Sequence, residues 1–464
     1  MKKACLFILY ISFTCTSFSQ TYTANWQSLD ARPIPQWFTD AKFGIFIHWG
    51  LYSVPAWGPT AKDGADVYER YAEWYWYRLM DTSKGGKKVH DMFKTFHDKT
   101  YGHDFKYQDF AKSFTASMFN PAQWAAIIKS SGAKYVVLTS KHHEGFTLWP
   151  SKQSWNWNAV DVGPHRDLAG DLSEAVKKAG LHMGFYYSLY EWFNPEYKTD
   201  FNGYVDDHMI PQMKDLVTRY QPDILWTDGE WEHTAAQWKS EQFLSWLYNE
   251  SPVKDNVVVN DRWGSDTRSK HGGFYTTEYD LEGSNNLKDK VITHPWEECR
   301  GIGESFGYNR NEDLANYQTS GQLVKVLIEK VSRGGNLLLD IGPTADGRIP
   351  VIMQQRLEDM GNWLAINGDA IYGTSQWAAA PAKMPGDVYF TSKGNDLYIL
   401  CTKYPVQPLH IPGVKRPAAV TLLGYNGTVT SSFKNNILTI QQPVLTVINS
   451  NLTFAWVFKV TGAL

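Results

Sequence analysis

The chain has 464 residues, and its 45 Lys and Arg against 48 Asp and Glu leave a net charge of −3 at pH 7. The length predicts about two to three folded domains. Hydrophobic residues make up 43% and charged residues 20%, which excludes a disordered chain. The near-neutral charge lacks the basic field that attracts a phosphate backbone, so nucleic acid is excluded as an expected partner. The 20 Trp, 26 Tyr and 23 Phe residues predict either a large aromatic core or surfaces that bind the apolar faces of sugars.

The first residues have the pattern of an export signal. Two lysines precede an apolar stretch over residues 6–13, and Ser17 and Ser19 supply the small side chains that a signal peptidase reads. We therefore predict a signal peptide over residues 1–19, with Gln20 as the first mature residue and a periplasmic or secreted protein. No later stretch has the length of apolar residues that a membrane span needs.

The four cysteines do not form a disulfide framework. Cys5 and Cys15 lie in the predicted signal, and only Cys299 and Cys401 remain in the mature chain. A lipid anchor on Cys15 is the less favoured alternative, because the residues before it fit a lipoprotein site poorly. Whether Cys299 and Cys401 pair stays open, since separation along the chain says nothing about distance in the fold.

Amphipathic helices alternate with short apolar strands through most of the chain. In each of four repeats, apolar residues at helical spacing are followed by Gly or Pro and then by a strand. Asn120 and Pro121 mark the start of the first of these helices as a cap and an N1 proline. The four predicted pairs are the helix around Trp124 with strand 135–139, that around Leu172 with strand 183–187, that around Met213 with strand 224–227, and that around Val324 with strand 336–341.

Strands joined by helices are parallel neighbours, which leaves a (β/α) barrel or a doubly wound sheet as the fold. A doubly wound sheet usually shows a Gly-rich phosphate loop after its first strand, and residues 43–48 lead instead into Trp49 and Gly50. Polar residues also gather where predicted strands stop, as expected at the mouth of a barrel. We predict a (β/α)8-like TIM barrel over residues 20–375; the strand-end residues are His48, His142, Asp228 and Arg262.

The pattern changes after about residue 377. Short alternating apolar runs separated by Gly, Asn and Pro predict an antiparallel β-sandwich over residues 376–464. Its expected role is support of the barrel, because no cluster of catalytic residue types lies there. The predicted strands include residues 388–390, 397–400, 420–423, 437–440 and 454–457.

Carboxylates that could act in acid/base hydrolysis follow the predicted barrel strands. Ile224, Trp226 and Asp228 share one face of a regular strand, which places Asp228 at the barrel mouth if that face is interior. The alternative is that Asp228 only caps the helix that follows. Hydrolysis at an anomeric carbon needs a second carboxylate; Arg262, after strand 257–260, could keep one of the pair ionised. Candidates for the second carboxylate are Glu278, Glu297 and Glu298.

The histidines do not predict a metal site. His142 and His143 are adjacent and would point to opposite faces of a regular strand, and no second ligand follows at helical spacing. They can reach one pocket together only if the strand has ended or bulged there. We therefore predict no metal and no organic cofactor, and interpret these residues and His48 as hydrogen-bonding groups.

Taken together and in order, these motifs resemble glycoside hydrolase family 29, the α-L-fucosidases, from about residue 26 through the final β-domain. Each matching run is modest alone, and their ordered combination is specific. The branch that the chain resembles acts broadly on simple α-fucosides. The matching runs are residues 42–50, 52–55, 73–75, 141–146, 186–188, 226–228, 260–264, 305–309 and 334–339.

The resemblance implies an exo-acting, retaining hydrolase that releases terminal L-fucose from oligosaccharides or glycoconjugates. Asp228 would be the nucleophile and Glu278 the acid/base, with Glu297 kept as the alternative acid/base. Phe306 would contribute to an apolar wall for the methyl group that distinguishes fucose. The remaining substrate contacts implied are His48, Glu73, His142, His143, Tyr186, Trp226 and Arg262.

Two other functions stay open from the sequence. The chain could be a fucose-binding relative without catalysis, or an exo-glycosidase for a related sugar. The presence of both carboxylates favours an enzyme, and the sequence leaves the oligomeric state open.

Overall fold

Eight parallel strands form the first and larger part of the fold. The computed structural model describes residues 21–279, 293–381 and 387–464, and the predicted signal peptide, residues 1–19, lies outside them. The strands are β1 (Phe43–Ile47), β2 (Tyr135–Lys141), β3 (His182–Ser188), β4 (Ile224–Asp228), β5 (Val258–Val259), β6 (Tyr275–Glu278), β7 (Trp296–Gly301) and β8 (Asn336–Ile341).

These strands close into a barrel. Their order in the sheet is β5-β4-β3-β2-β1-β8-β7-β6, and every hydrogen-bonded pair is parallel. A parallel bridge between Asn260 and Phe274 joins the two edges, with the Phe274 amide donating to the Val259 carbonyl at 3.0 Å. The predicted (β/α) barrel is therefore confirmed.

Helices and short helical turns connect the strands and cover the outside of the barrel. The Asn120 side chain caps its helix as predicted, accepting from the Gln123 amide at 3.0 Å. The α-helices are α1 (Trp26–Leu29), α2 (Gln36–Ala41), α3 (Tyr75–Met80), α4 (Lys87–Tyr101), α5 (Pro121–Ser130), α6 (Leu168–Lys178), α7 (Glu196–Thr199), α8 (Phe201–Gly203), α9 (Ile210–Tyr220), α10 (Ala235–Trp238), α11 (Ser240–Asn249), α12 (Ser320–Ser332) and α13 (Val351–Asn367). A π-helical turn (Tyr204–Met209) precedes α9, and 3-10 turns lie at Leu51–Ser53, Ala61–Asp63, Val67–Glu69, Ala72–Trp74, Tyr107–Ser113 and Gly368–Ala370.

The four predicted helix–strand pairs are all present, and one neighbouring strand differs from its prediction. Helix α9 ends at Tyr220, before Pro222, because Gln221 adopts a left-handed backbone with φ +47°. The strand predicted over residues 257–260 is reduced to Val258–Val259. Beyond Val259, the backbone pairing between β4 and β5 is replaced by a side-chain hydrogen bond, in which Asn260 Nδ2 donates to the Thr227 carbonyl at 2.7 Å.

Side chains from the strands fill the barrel interior. Ile224 and Trp226 both point into it, as the shared strand face predicted, so the same face carries Asp228 to the mouth. The opposite end is closed by α2, where Phe38 stacks on Phe274 with ring centroids 4.3 Å apart. The barrel is therefore a packed core with one open end.

Two antiparallel sheets follow the barrel. One has the order β13-β16-β11-β10-β9 and the other β12-β15-β14. The predicted domain boundary between residues 375 and 376 falls inside the first of these strands and stays a prediction. The strands are β9 (Ser375–Gln376), β10 (Val388–Lys393), β11 (Asp396–Cys401), β12 (Leu409–Pro412), β13 (Ala419–Leu422), β14 (Ser431–Lys434), β15 (Ile437–Ile440) and β16 (Trp456–Thr461). Within the described residues, no helix has both the length and the apolar character to cross a membrane.

Candidate active site

A pocket of about 260 Å³ opens where the barrel strands end. This is the end at which barrel enzymes carry their active sites, because loops from several strands converge there. All ten residues predicted as catalytic or substrate-binding line it. They are His48, Glu73, His142, His143, Tyr186, Trp226, Asp228, Arg262, Glu278 and Phe306.

Asp228, the last residue of β4, is surrounded by positive charge. Its Oδ1 accepts from Arg262 Nη1 at 2.7 Å, and its Oδ2 accepts from the Tyr186 hydroxyl at 2.9 Å. Burial alone would raise the pKa of this carboxyl group, but the guanidinium groups of Arg262 and Arg268 hold it well below its usual range. At neutral pH the group is therefore an ionised, hydrogen-bonded carboxylate facing the pocket.

Glu278, the last residue of β6, lies on the other side of the same guanidinium group. Arg262 Nη2 is 3.6 Å from Glu278 Oε2, and the Tyr71 hydroxyl donates to Oε1 at 2.7 Å. Arg262 thus contacts both strand-end carboxylates and fixes their relative position. The pocket holds two acidic groups bridged by one cation, which is an arrangement suited to acid/base hydrolysis.

Glu297, the alternative second carboxylate, occupies a different place. It is 1% exposed, it does not line the pocket, and both of its oxygens accept hydrogen bonds from rings in the barrel interior. The Trp226 indole donates to Oε1 at 3.0 Å, and the Tyr135 hydroxyl donates to Oε2. Burial raises its pKa to about 7. Its carboxyl group is therefore part of the barrel core beneath the pocket.

His142 and His143 enter the same pocket because β2 ends immediately before them. The register between β2 and β3 shifts between Thr139 and Lys141, and the chain then turns through Gly145 with φ +76°. The two rings lie 4.1 Å apart and are tilted by 51°, and both line the pocket. The break in strand geometry therefore turns two adjacent side chains toward one ligand site.

The hydrogen bonds of His143 assign its protonation. The Ser188 hydroxyl donates to the Tyr190 carbonyl at 2.6 Å, so its oxygen accepts from His143 Nδ1, also at 2.6 Å. Burial, and then the neighbouring His142, lower the pKa of His143 well below its usual range. The neutral ring therefore presents an Nε2 lone pair near the pocket, 3.8 Å from Asp228 Oδ2.

His48, at the end of β1, is held in the opposite tautomer. Its Nδ1 is 2.7 Å from Asp340 Oδ1. Burial lowers the pKa of His48 and raises the pKa of Asp340 well above its usual range, so both groups are neutral and the carboxyl proton is donated to Nδ1. His48 Nε2 then carries a hydrogen. The pocket consequently offers a donor at His48 and an acceptor at His143.

Part of the pocket wall is apolar. The Phe306 ring stacks on His48 with centroids 4.9 Å apart and packs edge-on against Tyr71 at 5.3 Å. Phe46 and Cys299 line the pocket beside it. Hydrogen-bonding groups surround this apolar wall. The pocket therefore offers one surface for an apolar group of a ligand and other surfaces for its hydroxyl groups.

Glu73 joins two loops at the pocket edge. It is 2% exposed, and its Oε2 accepts from the Gly307 amide at 2.8 Å and the Ser305 hydroxyl at 3.2 Å. The 3-10 turn Ala72–Trp74 is thereby fastened to the loop that carries Phe306. The carboxylate both lines the pocket and shapes it.

Comparison with known proteins identifies the family over nearly the whole chain. The sequence model of the family described as Alpha-L-fucosidase matches residues 10–369. Alpha-L-fucosidase of Branchiostoma floridae is 43% identical over 472 residues, covering 98% of this chain and 99% of that protein. Tissue alpha-L-fucosidase of Homo sapiens is 44% identical over 452 residues, covering 95% and 92% respectively. The chain belongs to the α-L-fucosidase family.

A solved structure agrees with this assignment. The α-L-fucosynthase of Thermotoga maritima, in complex with a fucosyl-fucose azide, superposes with a TM-score of 0.78 at 36% identity. The match covers 95% of this chain and 99% of that chain. The protein is thus a glycoside hydrolase of the fucosidase family, with a TIM barrel followed by a β-sandwich.

Some residues at this fucosidase site were missed from the sequence. The Tyr71 hydroxyl donates to Glu278, which is 207 positions away in the sequence. No local sequence pattern predicts a contact over that separation. Arg268 and Glu230 form a pair beside the predicted nucleophile, with Nε 2.5 Å from Oε1. Asp340 had a usable signal, since an acidic residue inside an apolar strand is costly without a buried partner.

Two further questions from the sequence concern the cysteines and a metal site. Cys299 and Cys401 are both buried and do not form a disulfide with each other, which answers the question of pairing that the sequence left open. Within the described part of the chain, no three His, Cys, Asp or Glu side chains are grouped to hold a metal ion.

Proposed function

We propose that this protein is an exo-acting, retaining α-L-fucosidase that releases terminal L-fucose from fucosylated oligosaccharides or glycoconjugates. The observation that carries the residue roles is the guanidinium of Arg262, which contacts the strand-end carboxylates Asp228 and Glu278 in one pocket. The small pocket volume supports exo action, because it accommodates one sugar ring rather than a chain. Membership of the fucosidase family supports the substrate class.

In the first step Asp228 attacks the anomeric carbon. A bond forms between its carboxylate oxygen and C1 as the glycosidic C1–O bond breaks, and Glu278 donates its proton to the departing oxygen. Arg262 contributes by keeping Asp228 ionised before the attack. The products of this step are a covalent fucosyl ester and a neutral leaving group.

In the second step Glu278 acts as a base. It takes a proton from water as the water oxygen bonds to C1, and the ester to Asp228 breaks. Two inversions give fucose with its original configuration. The enzyme regains an ionised Asp228 and a protonated Glu278.

Selectivity for fucose follows from the division of the pocket wall. The apolar surface around Phe306, Phe46 and Cys299 suits the methyl group, and a hydroxymethyl sugar would leave a hydroxyl unpaired there at a cost of about 1 to 3 kcal/mol. His48 and His143 provide a donor and an acceptor for ring hydroxyls. The apolar wall around Phe306 and the fixed tautomers of His48 and His143 together support a deoxy sugar as the substrate.

The nucleophile is tested with Asp228→Gly. We expect turnover of an aryl α-L-fucoside to fall about a thousandfold or more, because no group remains to form the ester. Azide can occupy the vacated space, so added azide should restore activity and give the β-fucosyl azide, with inverted configuration. Normal hydrolysis by this variant would end the assignment of Asp228.

The acid/base is tested by comparing Glu278→Ala with Glu297→Gln. For Glu278→Ala we expect kcat/KM to fall far more on a fucosyl disaccharide than on fucosyl fluoride, because fluoride departs without a proton. Azide should then give the α-fucosyl azide, by attack on the ester from the side that the missing carboxyl group occupied. This pattern in Glu297→Gln instead would transfer the role to Glu297.

We also propose that the protein is exported. Residues 1–19 support this by their order of basic, apolar and small residues.

A further inference from the structure

Four residues form an arc along the mouth of the pocket: Tyr68, Arg78, Trp74 and Trp231. All of them line the pocket, and Tyr68 and Trp231 are 42% and 38% exposed. Arg78 Nη2 donates to the Tyr68 carbonyl at 2.8 Å, and its guanidinium carbon lies 5.5 Å from the centre of the Trp74 ring. Trp74 and Trp231 follow with centroids 6.0 Å apart. The arc therefore joins the pocket to solvent.

One end of this arc lies on the side of the proposed acid. The Tyr68 ring packs edge-on against Tyr71 with centroids 5.8 Å apart, and the Tyr71 hydroxyl donates to Glu278. In a retaining reaction the acid must reach the departing oxygen, so the leaving group extends past Glu278. Tyr68 is the exposed ring next to that path.

We propose that Tyr68 and Arg78 form a binding site for a sugar leaving group, which selects substrates in which fucose is attached to another pyranose. The inference rests on the proposed roles of Asp228 and Glu278, and it adds a substrate class to the fucose pocket. One face of a pyranose carries mostly C–H groups, which bury favourably against the exposed ring of Tyr68.

Arg78 supplies the polar half of this site. A guanidinium group carries five N–H donors in a fixed fork. Nη2 of Arg78 is used by the Tyr68 carbonyl, and Nη1 makes no hydrogen bond with any residue that the structure describes. Arg78 lines the pocket, and in the proposed site Nη1 donates to hydroxyl oxygens of the leaving sugar. The arc thus combines an apolar platform with a polar edge, as carbohydrate sites generally do.

The test compares substrates with and without a sugar leaving group. The kcat/KM values of wild type and Tyr68→Ala are measured on fucosyl fluoride and on the fucosyl disaccharide that wild type hydrolyses fastest in a panel of linkages. We expect the variant to lose about tenfold on the disaccharide and to stay within about twofold on the fluoride, whose leaving group does not reach the arc. Arg78→Met should show the same selective loss.

Two matched variants serve as controls. Tyr68→Phe keeps the ring and should retain the disaccharide rate, and Trp155→Ala removes a ring that is 77% exposed and does not line the pocket. An unchanged disaccharide rate in Tyr68→Ala, or an equal loss on both substrates, would overturn the leaving-group site. Failure of the wild type to hydrolyse fucosyl fluoride would instead overturn the proposed function, so the two failures are distinguishable.

Discussion

Of the cations in the described pocket, Arg262 makes the most direct contacts with the two proposed catalytic carboxylates. It is 2% exposed, and its Nη1 and Nη2 face Asp228 and Glu278 at 2.7 and 3.6 Å. Its Nε donates to the Thr276 hydroxyl at 3.0 Å, and its guanidinium carbon lies 4.6 Å from the centre of the Trp226 ring. The planar group is therefore fixed from three directions, which a flexible ammonium group would not reproduce.

Removal of this charge should change the pH dependence of the reaction. In Arg262→Met, burial is opposed by fewer positive charges, so the pKa of Asp228 rises from its depressed value. The nucleophile is active when ionised, and the acidic limb of kcat/KM against pH should move to higher pH. At about pH 5 the rate on fucosyl fluoride should fall about tenfold or more relative to the rate at neutral pH.

Arg262→Lys is the matched control for this prediction. It keeps the charge and should shift the acidic limb less, while losing rate at every pH because the second contact is lost. Circular dichroism establishes that each variant is folded. An acidic limb in Arg262→Met that coincides with that of the wild type would contradict the role given to this residue.

At the scale of elements, the end of β2 is fixed by a buried ion pair behind the histidines. Lys141 and Glu191 have side chains that are 0% and 1% exposed, with Nζ 2.6 Å from Oε2. A side chain at Gly145 would place its Cβ 2.4 Å from Glu191 Oε1. The turn that carries His142 and His143 is therefore closed against Glu191, which couples the position of both rings to this pair.

Breaking the pair should destabilise the fold and loosen the site. Lys141→Met leaves Glu191 buried with only His208, at 3.2 Å, and the Tyr204 hydroxyl, at 3.3 Å, as partners, and we expect a loss of about 3 kcal/mol in the free energy of unfolding. Urea unfolding measures this loss, and KM for an aryl fucoside should rise because the histidine turn is no longer held.

Two further variants serve as controls for Lys141→Met. The double variant Lys141→Met with Glu191→Leu removes both charges and should recover much of the stability. Lys87→Met breaks an ion pair with Asp91 in which Lys87 is 67% exposed, and it should leave the unfolding midpoint unchanged. A small effect of Lys141→Met on both stability and KM would show that the turn is held by other contacts.

At the scale of the molecule, the β-sandwich has a hydrophobic core of its own and also packs apolar side chains against the barrel. Tyr398 and Leu400 of β11 belong to the same buried cluster as the barrel helices. Trp363 of α13 donates from Nε1 to the Ala455 carbonyl at 3.0 Å, and the Tyr389 hydroxyl donates to Glu329 of α12 at 2.8 Å. The sandwich covers apolar surface of the barrel, which is the supporting role expected from the sequence.

This apolar interface predicts that the two parts unfold together. Scanning calorimetry should show one transition, with equal calorimetric and van't Hoff enthalpies. Trp363→Ala should lower the free energy of unfolding by about 3 to 5 kcal/mol without dividing the transition, whereas Val406→Ala, at a site that is 90% exposed, should have no effect. Two separate transitions in the wild type would contradict this.

Local patterns in the sequence determined the barrel and the position of Asp228. Helical spacing and strand alternation depend on neighbours within a few residues, so the four helix–strand pairs were readable from the chain. Asp228 follows Trp226 on one strand face, and that face was predictable from alternation alone. The Asn120 cap was readable for the same reason, since its partner Gln123 is three residues away.

Only the tertiary structure separated Glu278 from Glu297. Both were candidates for the second carboxylate, but in the sheet Glu297 pairs with Thr276, whereas Glu278 pairs with Cys299. Glu297 therefore lies two residues deeper in the barrel, where Tyr135 and Trp226 occupy its oxygens. Register between strands depends on packing across the whole sheet, and a loop contact such as that of Tyr71 depends on closure of the barrel. Neither produces a periodic pattern in the sequence. The depth of Glu278 and Glu297 within the barrel could therefore be read only from the tertiary structure.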